Sequence, residues 1–147
     1  MQRICKPLLV AACVALPLLA GALTLQIGNP IANPEAQSRH AVAIAQVLAC
    51  HSPEKTTVTA AAIGIVNGRQ QVIPLKVFAL SQSGMYAVTH EWPENGEWVI
   101  KFVATNSEYK NYATGALIPA KDSTVEWTQA KNYFREPNSQ DVSAFLK

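Results

Sequence analysis

The sequence predicts an all-β chain: an antiparallel β-sandwich behind an N-terminal signal segment and ahead of a short C-terminal extension. Three observations predict it. Short β-branched or alternating stretches recur at intervals of about ten to fifteen residues, separated by Gly, Pro and Asn turns. The cleanest of them, Glu97 to Val103, sends Trp98, Ile100 and Phe102 one way and Lys101 the other, as a half-buried antiparallel strand requires. No long helical period, glycine-rich phosphate loop or internal repeat competes with that pattern. One sheet would leave its apolar face wet, whereas two sheets face to face bury both. A small open barrel is the alternative closure.

The first residues, MQRICKPLLVAACVALPLLAGALTL, have the anatomy of a secretory leader. Arg3 and Lys6 form a positive start, and an apolar run of 18 residues follows from Leu8 to Leu25, broken only by Thr24. Ala20 and Ala22 meet the small-residue demand of the processing peptidase, so cleavage after Ala22 is expected and residues 1–22 are assigned as signal peptide. The same run is just long enough to cross a bilayer, which keeps a retained anchor open as the rival. Either reading exports the domain to the periplasm or beyond. Cys13 lies too early in the run for a lipoprotein cleavage box.

Residues 26–40 contain two Asn-Pro pairs and almost no large apolar groups, so 23–40 read as an extended lead-in or tether, with the sandwich over 41–120. Residues 41–50 form a strand with Val42, Ile44, Leu48 and Cys50 on its buried face. Thr56 to Val66 is the second strand, with Val58, Ala60 and Ala62 on one side and Thr59, Ala61, Ile63 and Ile65 on the other. Asn67-Gly68 supplies a tight hairpin turn. The strand from Gln70 to Leu80 contains Pro74, which places it at a sheet edge or a bulge. Met85 to Glu91, Glu97 to Val103 and Tyr112 to Ile118 complete six strands. Residues 121–147 form the extension, with an added strand through Val125 and Trp127 or a wrapping segment, and a short helix capped by Ser139 that docks through Phe145 and Leu146.

Charge and cysteine content narrow the function classes. All ten acidic residues follow residue 34, while Arg3 and Lys6 belong to the leader, so a chain starting at Leu23 carries ten basic and ten acidic side chains. That balance removes the electrostatic case for a nucleic-acid partner. Of the three cysteines only Cys50 lies beyond the leader, so no intramolecular disulfide can staple the processed domain. An unpaired exported thiol is buried and inert, paired with another molecule, or a soft metal ligand.

Residues 57–118 have a familiar cadence. Ile65-Val66-Asn67-Gly68 ends a strand, Gly84-Met85-Tyr86-Ala87-Val88 begins one, and Pro93-Glu94-Asn95-Gly96-Glu97-Trp98-Val99 leads into the next. This resembles the small immunoglobulin-like or prealbumin-like sandwich domains of exported bacterial proteins, including the FixH- and YtkA-type accessory domains. The resemblance implies an immunoglobulin-like sandwich in an exported setting. Some relatives of that type handle metals or assist oxidase assembly, but no ligand motif of theirs maps onto residues here, and fold likeness does not carry function.

Two groups of residues carry candidate chemistry. Cys50 and His51, with His90 and more distantly His40 or Met85, offer a thiolate and imidazoles suited to copper or zinc, without a C-x-x-C or H-x-H spacing. The competing expectation is that Cys50 is a core residue holding no cofactor. Trp92, Tyr109 and Tyr112 are candidates for an aromatic rim that binds a protein, peptide or glycan partner, against an alternative in which Trp92 closes the end of the sandwich. No residue pattern supports catalysis. The expected function is a non-enzymatic accessory or binding module, with metal handling through Cys50 as the alternative.

Overall fold

The computed structural model describes residues 23–49, 52–108 and 112–146. Two antiparallel sheets pack face to face. The first has the order β1-β2-β6-β5, made of β1 (Thr24–Gly28), β2 (Ala41–Leu48), β6 (Met85–Thr89) and β5 (Val77–Ala79). The second has the order β10-β8-β7-β3-β4, made of β10 (Lys131–Tyr133), β8 (Ala113–Lys121), β7 (Glu97–Asn106), β3 (Thr56–Val66) and β4 (Arg69–Leu75), with β9 (Thr124–Val125) also paired to β8. The first four-strand order places two N-terminal strands beside a later pair in reverse sequence. In the second sheet β8-β7-β3-β4 supply the complementary set, the division of an immunoglobulin-like sandwich. The fold is therefore the all-β sandwich the strand rhythm predicts.

Size complementarity decides which faces meet. Trp98, Ile100 and Phe102 of β7 are each no more than 1% exposed and share one core with small residues of neighbouring strands and of the opposite sheet: Ala43 and Ala45 of β2, Ala60 and Ala62 of β3. This corrects the expected face of β2. Ala43, Ala45 and Val47 point into the sandwich, whereas Ile44 faces out and Leu48 is 44% exposed. The register shifts between the pairs Ala41↔Thr89 and Ala43↔Val88, a bulge at Val42 that lets this residue also pack on the core. The larger side chains mark the wrong face because the bulk needed between the sheets comes from β7.

The lead-in is a second correction. Leu23 and Leu25 are core residues at 1% and 3% exposure, and β1 pairs with β2 along its whole length, from Thr24↔Leu48 to Gly28↔Ile44. Both Asn-Pro pairs start helical turns rather than a tether. Asn29 caps a 3-10 turn over Pro30–Ala32, and Asn33 caps α1 (Pro34–Ser38), each side chain accepting a backbone N–H inside the turn. The two Asn residues keep the extended ψ that a following proline demands, and an N-cap has that same conformation. Ala36 of α1 then covers Ile44, Leu80 and Ala87 on the outer face of the first sheet.

The segment expected as one strand over Gln70 to Leu80 changes sheets. β4 is an edge strand, as Pro74 requires, and the chain leaves it at Lys76 to form β5 in the other sheet. The Lys76 N–H, taken out of the ladder, donates to Glu91 Oε2 at 2.7 Å. The Asn67-Gly68 turn forms as expected, both residues at positive φ (52° and 73°) between the paired Val66 and Arg69.

The C-terminal extension covers the outer face of the second sheet. Tyr133 and Val142 are buried there with Ile63, Val99 and Leu117, and Phe145 and Leu146 pack against them. Lys101 does face outward, but its side chain is only 20% exposed and pairs with Glu136 at 2.6 Å. The terminal helix α2 (Ser139–Ser143) is capped by Asn138, one residue before the expected Ser139, in a reciprocal box with Asp141.

Candidate functional site

Cys50, His51 and Tyr109 lie outside the described residues. Of the remaining predicted site residues, His90 and Trp92 are in contact and Tyr112 packs on the same core as Trp92. β2 and β6 run antiparallel with Ala41 opposite Thr89, so His90 follows at the end of the sheet that holds His40, while Leu48, two residues before Cys50, lies at the other end of β2. The His90 ring meets Trp92 edge-on, with centroids 4.4 Å apart and planes at 84°, and its buried Nε2 has no hydrogen-bond partner among the described residues. Among the described residues no group of three or more His, Cys, Asp or Glu side chains is arranged to hold a metal ion.

Trp92 is not an exposed rim. It is 3% exposed, belongs to the main core, and donates its Nε1–H to the carbonyl of Asp122 at 2.8 Å. It closes the end of the sandwich against the β8–β9 turn, which leaves no face for a partner. Tyr112 is half-buried and packs on the same core. Both aromatics are held by the interior.

The side chains that do converge on open space are carboxamides. Across three strands the outer face of the first sheet carries the row Gln26–Gln46–Met85, and beside it the row Gly28–Ile44–Ala87. Gly28 makes the hollow: a Cβ built there would meet nothing within 4 Å. The result is a depression of 260 Å³ with Ile44 and Met85 in its lining. Asn29 and Asn33 line its helical side, and Gln82 of the β5–β6 turn completes the lining.

The helical wall is fixed in place. Asn29 Oδ1 accepts from Ile31 N–H and Asn33 Oδ1 from Ala36 N–H, both at 3.0 Å, leaving their NH₂ groups as donors. Glu35 of α1 accepts the Ser81 hydroxyl at 2.6 Å and the Ser81 N–H at 2.9 Å, tying α1 to the turn that carries Gln82. Those hydrogen bonds, with a smaller contribution from Arg39, hold the Glu35 carboxyl below the ordinary carboxylate range. Gln26, Gln46 and Gln82 make no side-chain hydrogen bond to the described residues, and no charged side chain lines the hollow. Each carboxamide offers both donors and an acceptor. Such a site suits a neutral ligand rich in hydroxyl or amide groups.

Sequence reasoning missed this site. The signal was the Gln26-x-Gly28 pair on a stretch read as a tether, and its partner Gln46 on a strand face read as buried. No family model matches the chain, and no curated protein or solved structure matches it.

Proposed function

We propose that the chain is an exported, non-enzymatic accessory or binding module that takes a neutral, hydrogen-bonding ligand such as a sugar in the carboxamide-lined hollow. The observation that carries this reading is the open space at Gly28 beneath side-chain amides that have no partner among the described residues. Pockets with a few polar groups over an apolar floor are the usual form of small-ligand sites. At 260 Å³ the hollow falls just below the ~300–1,000 Å³ of drug-sized sites, which favours a small ligand such as one or two sugar rings over a larger molecule. The leader sequence supports export. A copper- or zinc-handling role ranks behind, because His90 lies edge-on to Trp92 at the end of the sheet remote from Leu48.

Chitobiose, which carries both hydroxyl and acetamido groups, is a suitable first probe. Nuclear magnetic resonance titration should shift the side-chain amides of Gln26, Gln46 and Gln82 together. Gly28→Val places a branched side chain where a Cβ meets nothing within 4 Å, and should abolish those shifts. Shifts that persist in Gly28→Val, or chitobiose and other neutral saccharides leaving all three amides unmoved at millimolar concentration, would remove this reading.

A further inference from the structure

We infer that the hollow selects the acetamido group of an N-acetylated sugar, with Asn29 and Asn33 as the residues that recognise its carbonyl oxygen. This rests on the proposed ligand-binding reading and adds to it a ligand class and two specificity residues.

The two asparagines differ from the glutamines across the hollow in having their chemistry already assigned. A carboxamide accepts a hydrogen bond only through its oxygen. Asn29 Oδ1 is taken by the Ile31 N–H and Asn33 Oδ1 by the Ala36 N–H, so in both residues only the NH₂ group is left for a ligand. Neither amide can turn over to offer its oxygen instead, because the NH₂ group would then face a backbone N–H and the turn would lose its cap. Asn33 is also held through its own N–H, which donates to the Pro30 carbonyl at 2.9 Å, so the residue closes the 3-10 turn and opens α1. The Gln37 side-chain amide, donating to the Ile31 carbonyl, joins the two turns. The helical wall is thus a fixed pair of donors.

A donor-only wall prefers an acceptor-only group. A hydroxyl that accepts there must still place its own proton, whereas a carbonyl oxygen brings two lone pairs and no proton. A carboxylate would also accept, but no cationic side chain lines the hollow to offset its desolvation. Below the wall the lining is apolar, with Ile44 and Met85, and the missing side chain of Gly28 leaves room beside Ile44, its cross-strand partner. A carbonyl with a methyl group attached matches both surfaces, and that is an acetamido group. Gln26, Gln46 and Gln82, each able to donate and accept, then suit the amide N–H and the hydroxyls of the attached ring. A peptide also carries amide carbonyls, but a chain segment recognised by a sheet docks on an open edge. The hollow instead opens on the outer face, where β2 is paired on both sides.

The full-length chain, kept in a detergent without sugar or amide groups, is titrated by nuclear magnetic resonance with chitobiose and with cellobiose. These disaccharides differ only in carrying an acetamido group or a hydroxyl on each ring. Chitobiose should bind more tightly by about 10-fold, the factor for one well-placed hydrogen bond. It alone should shift the side-chain NH₂ resonances of Asn29 and Asn33, a readout that needs no substitution; resonances that stay put while chitobiose binds overturn the inference. Asn29→Ser and Asn33→Ser keep a capping oxygen and lose the donor. With both changes the preference should vanish, the two affinities falling within about 2-fold of each other. A preference that survives them would place the selecting donor elsewhere and overturn the assignment. Equal affinities of the parent for the two sugars, with the glutamine amides still shifting, would overturn the inference and leave the binding reading standing. No shift with either sugar would remove both. N-acetylalanine methylamide binding as tightly as chitobiose would overturn the sugar in favour of a peptide.

Discussion

The indole of Trp98 occupies the space that a side chain at Gly64 would need. The two residues are cross-strand partners on β7 and β3, and an added Cβ at Gly64 would fall 2.5–2.8 Å from Cε3, Cδ2 and Cζ3 of the ring. Glycine is required there for room. The ring is further held by its Nε1–H, which donates to the Asn95 carbonyl at 3.2 Å.

Gly64→Ala should therefore destabilise the domain by about 1–3 kcal/mol, the range for overpacking a close-packed core. Trp98→Ala should cost about 3–5 kcal/mol through lost burial and the cavity left behind. Combined, the two changes should cost less than their sum, because the alanine methyl enters space the ring has vacated. Urea unfolding of the four proteins checks this. Strict additivity would mean the ring and the glycine are not in contact.

Gly28 is the contrasting case on the same fold. It has neither a neighbour within 4 Å of its missing Cβ nor a positive φ. Gly28→Val should leave the unfolding free energy within about 0.5 kcal/mol of the parent, as expected for a surface change that breaks no special feature. A large loss of stability would show that the hollow is closed by something the strand register does not reveal.

The sandwich was legible because its strongest signals are local. Trp98, Ile100 and Phe102 at period two, the Asn67-Gly68 turn and Pro74 at an edge each follow from the geometry of one strand or one turn. β1 was not legible, because Thr24–Gly28 is short, continuous with the leader and followed by Asn-Pro pairs whose capping role depends on what comes next. The face of β2 was misread for a different reason. Ala43 and Ala45 are inside because β7 fills the space opposite them, and no local pattern encodes the size of a partner. The hollow combines both failures, since it joins β1 to the outer face of β2.

Asn106 anchors the chain just after residues 50–51. Only 3% exposed, it donates Nδ2–H to the Ser52 carbonyl at 2.9 Å and to Thr56 Oγ1 at 3.0 Å, and accepts the Glu108 N–H on Oδ1 at 3.0 Å. Asn106→Ala leaves the buried Thr56 hydroxyl and two backbone groups without this partner, and should cost about 1–3 kcal/mol. Amide exchange should quicken first at Lys55 to Thr57. Exchange unchanged in that stretch would mean the ion pair of Lys55 with Glu108 suffices to hold it.

The C-terminal cover should be acid-labile at one identifiable carboxylate. Asp141 lies at about 2 rather than its ordinary 3.8, chiefly because the Arg135 guanidinium donates to it, and next because the Asn138 N–H does so. A carboxyl whose folded pKa is depressed stabilises the folded state above its unfolded pKa, and that contribution is lost as pH falls through the folded value. For Asp141 the window runs from about 4 down to about 2. Protonation there removes the charge facing Arg135 and weakens the reciprocal cap with Asn138, so α2 should loosen while the sandwich stays closed. The side-chain carbon resonance of Asp141 should titrate with a midpoint near 2, and exchange at Val142 and Ala144 should rise over the same interval. Asp141→Asn should flatten that pH dependence, since asparagine can still accept the Asn138 N–H but cannot titrate. A midpoint close to 3.8 would show that Arg135 does not hold the carboxylate in solution, and that the segment stays down through Tyr133 and Val142 alone.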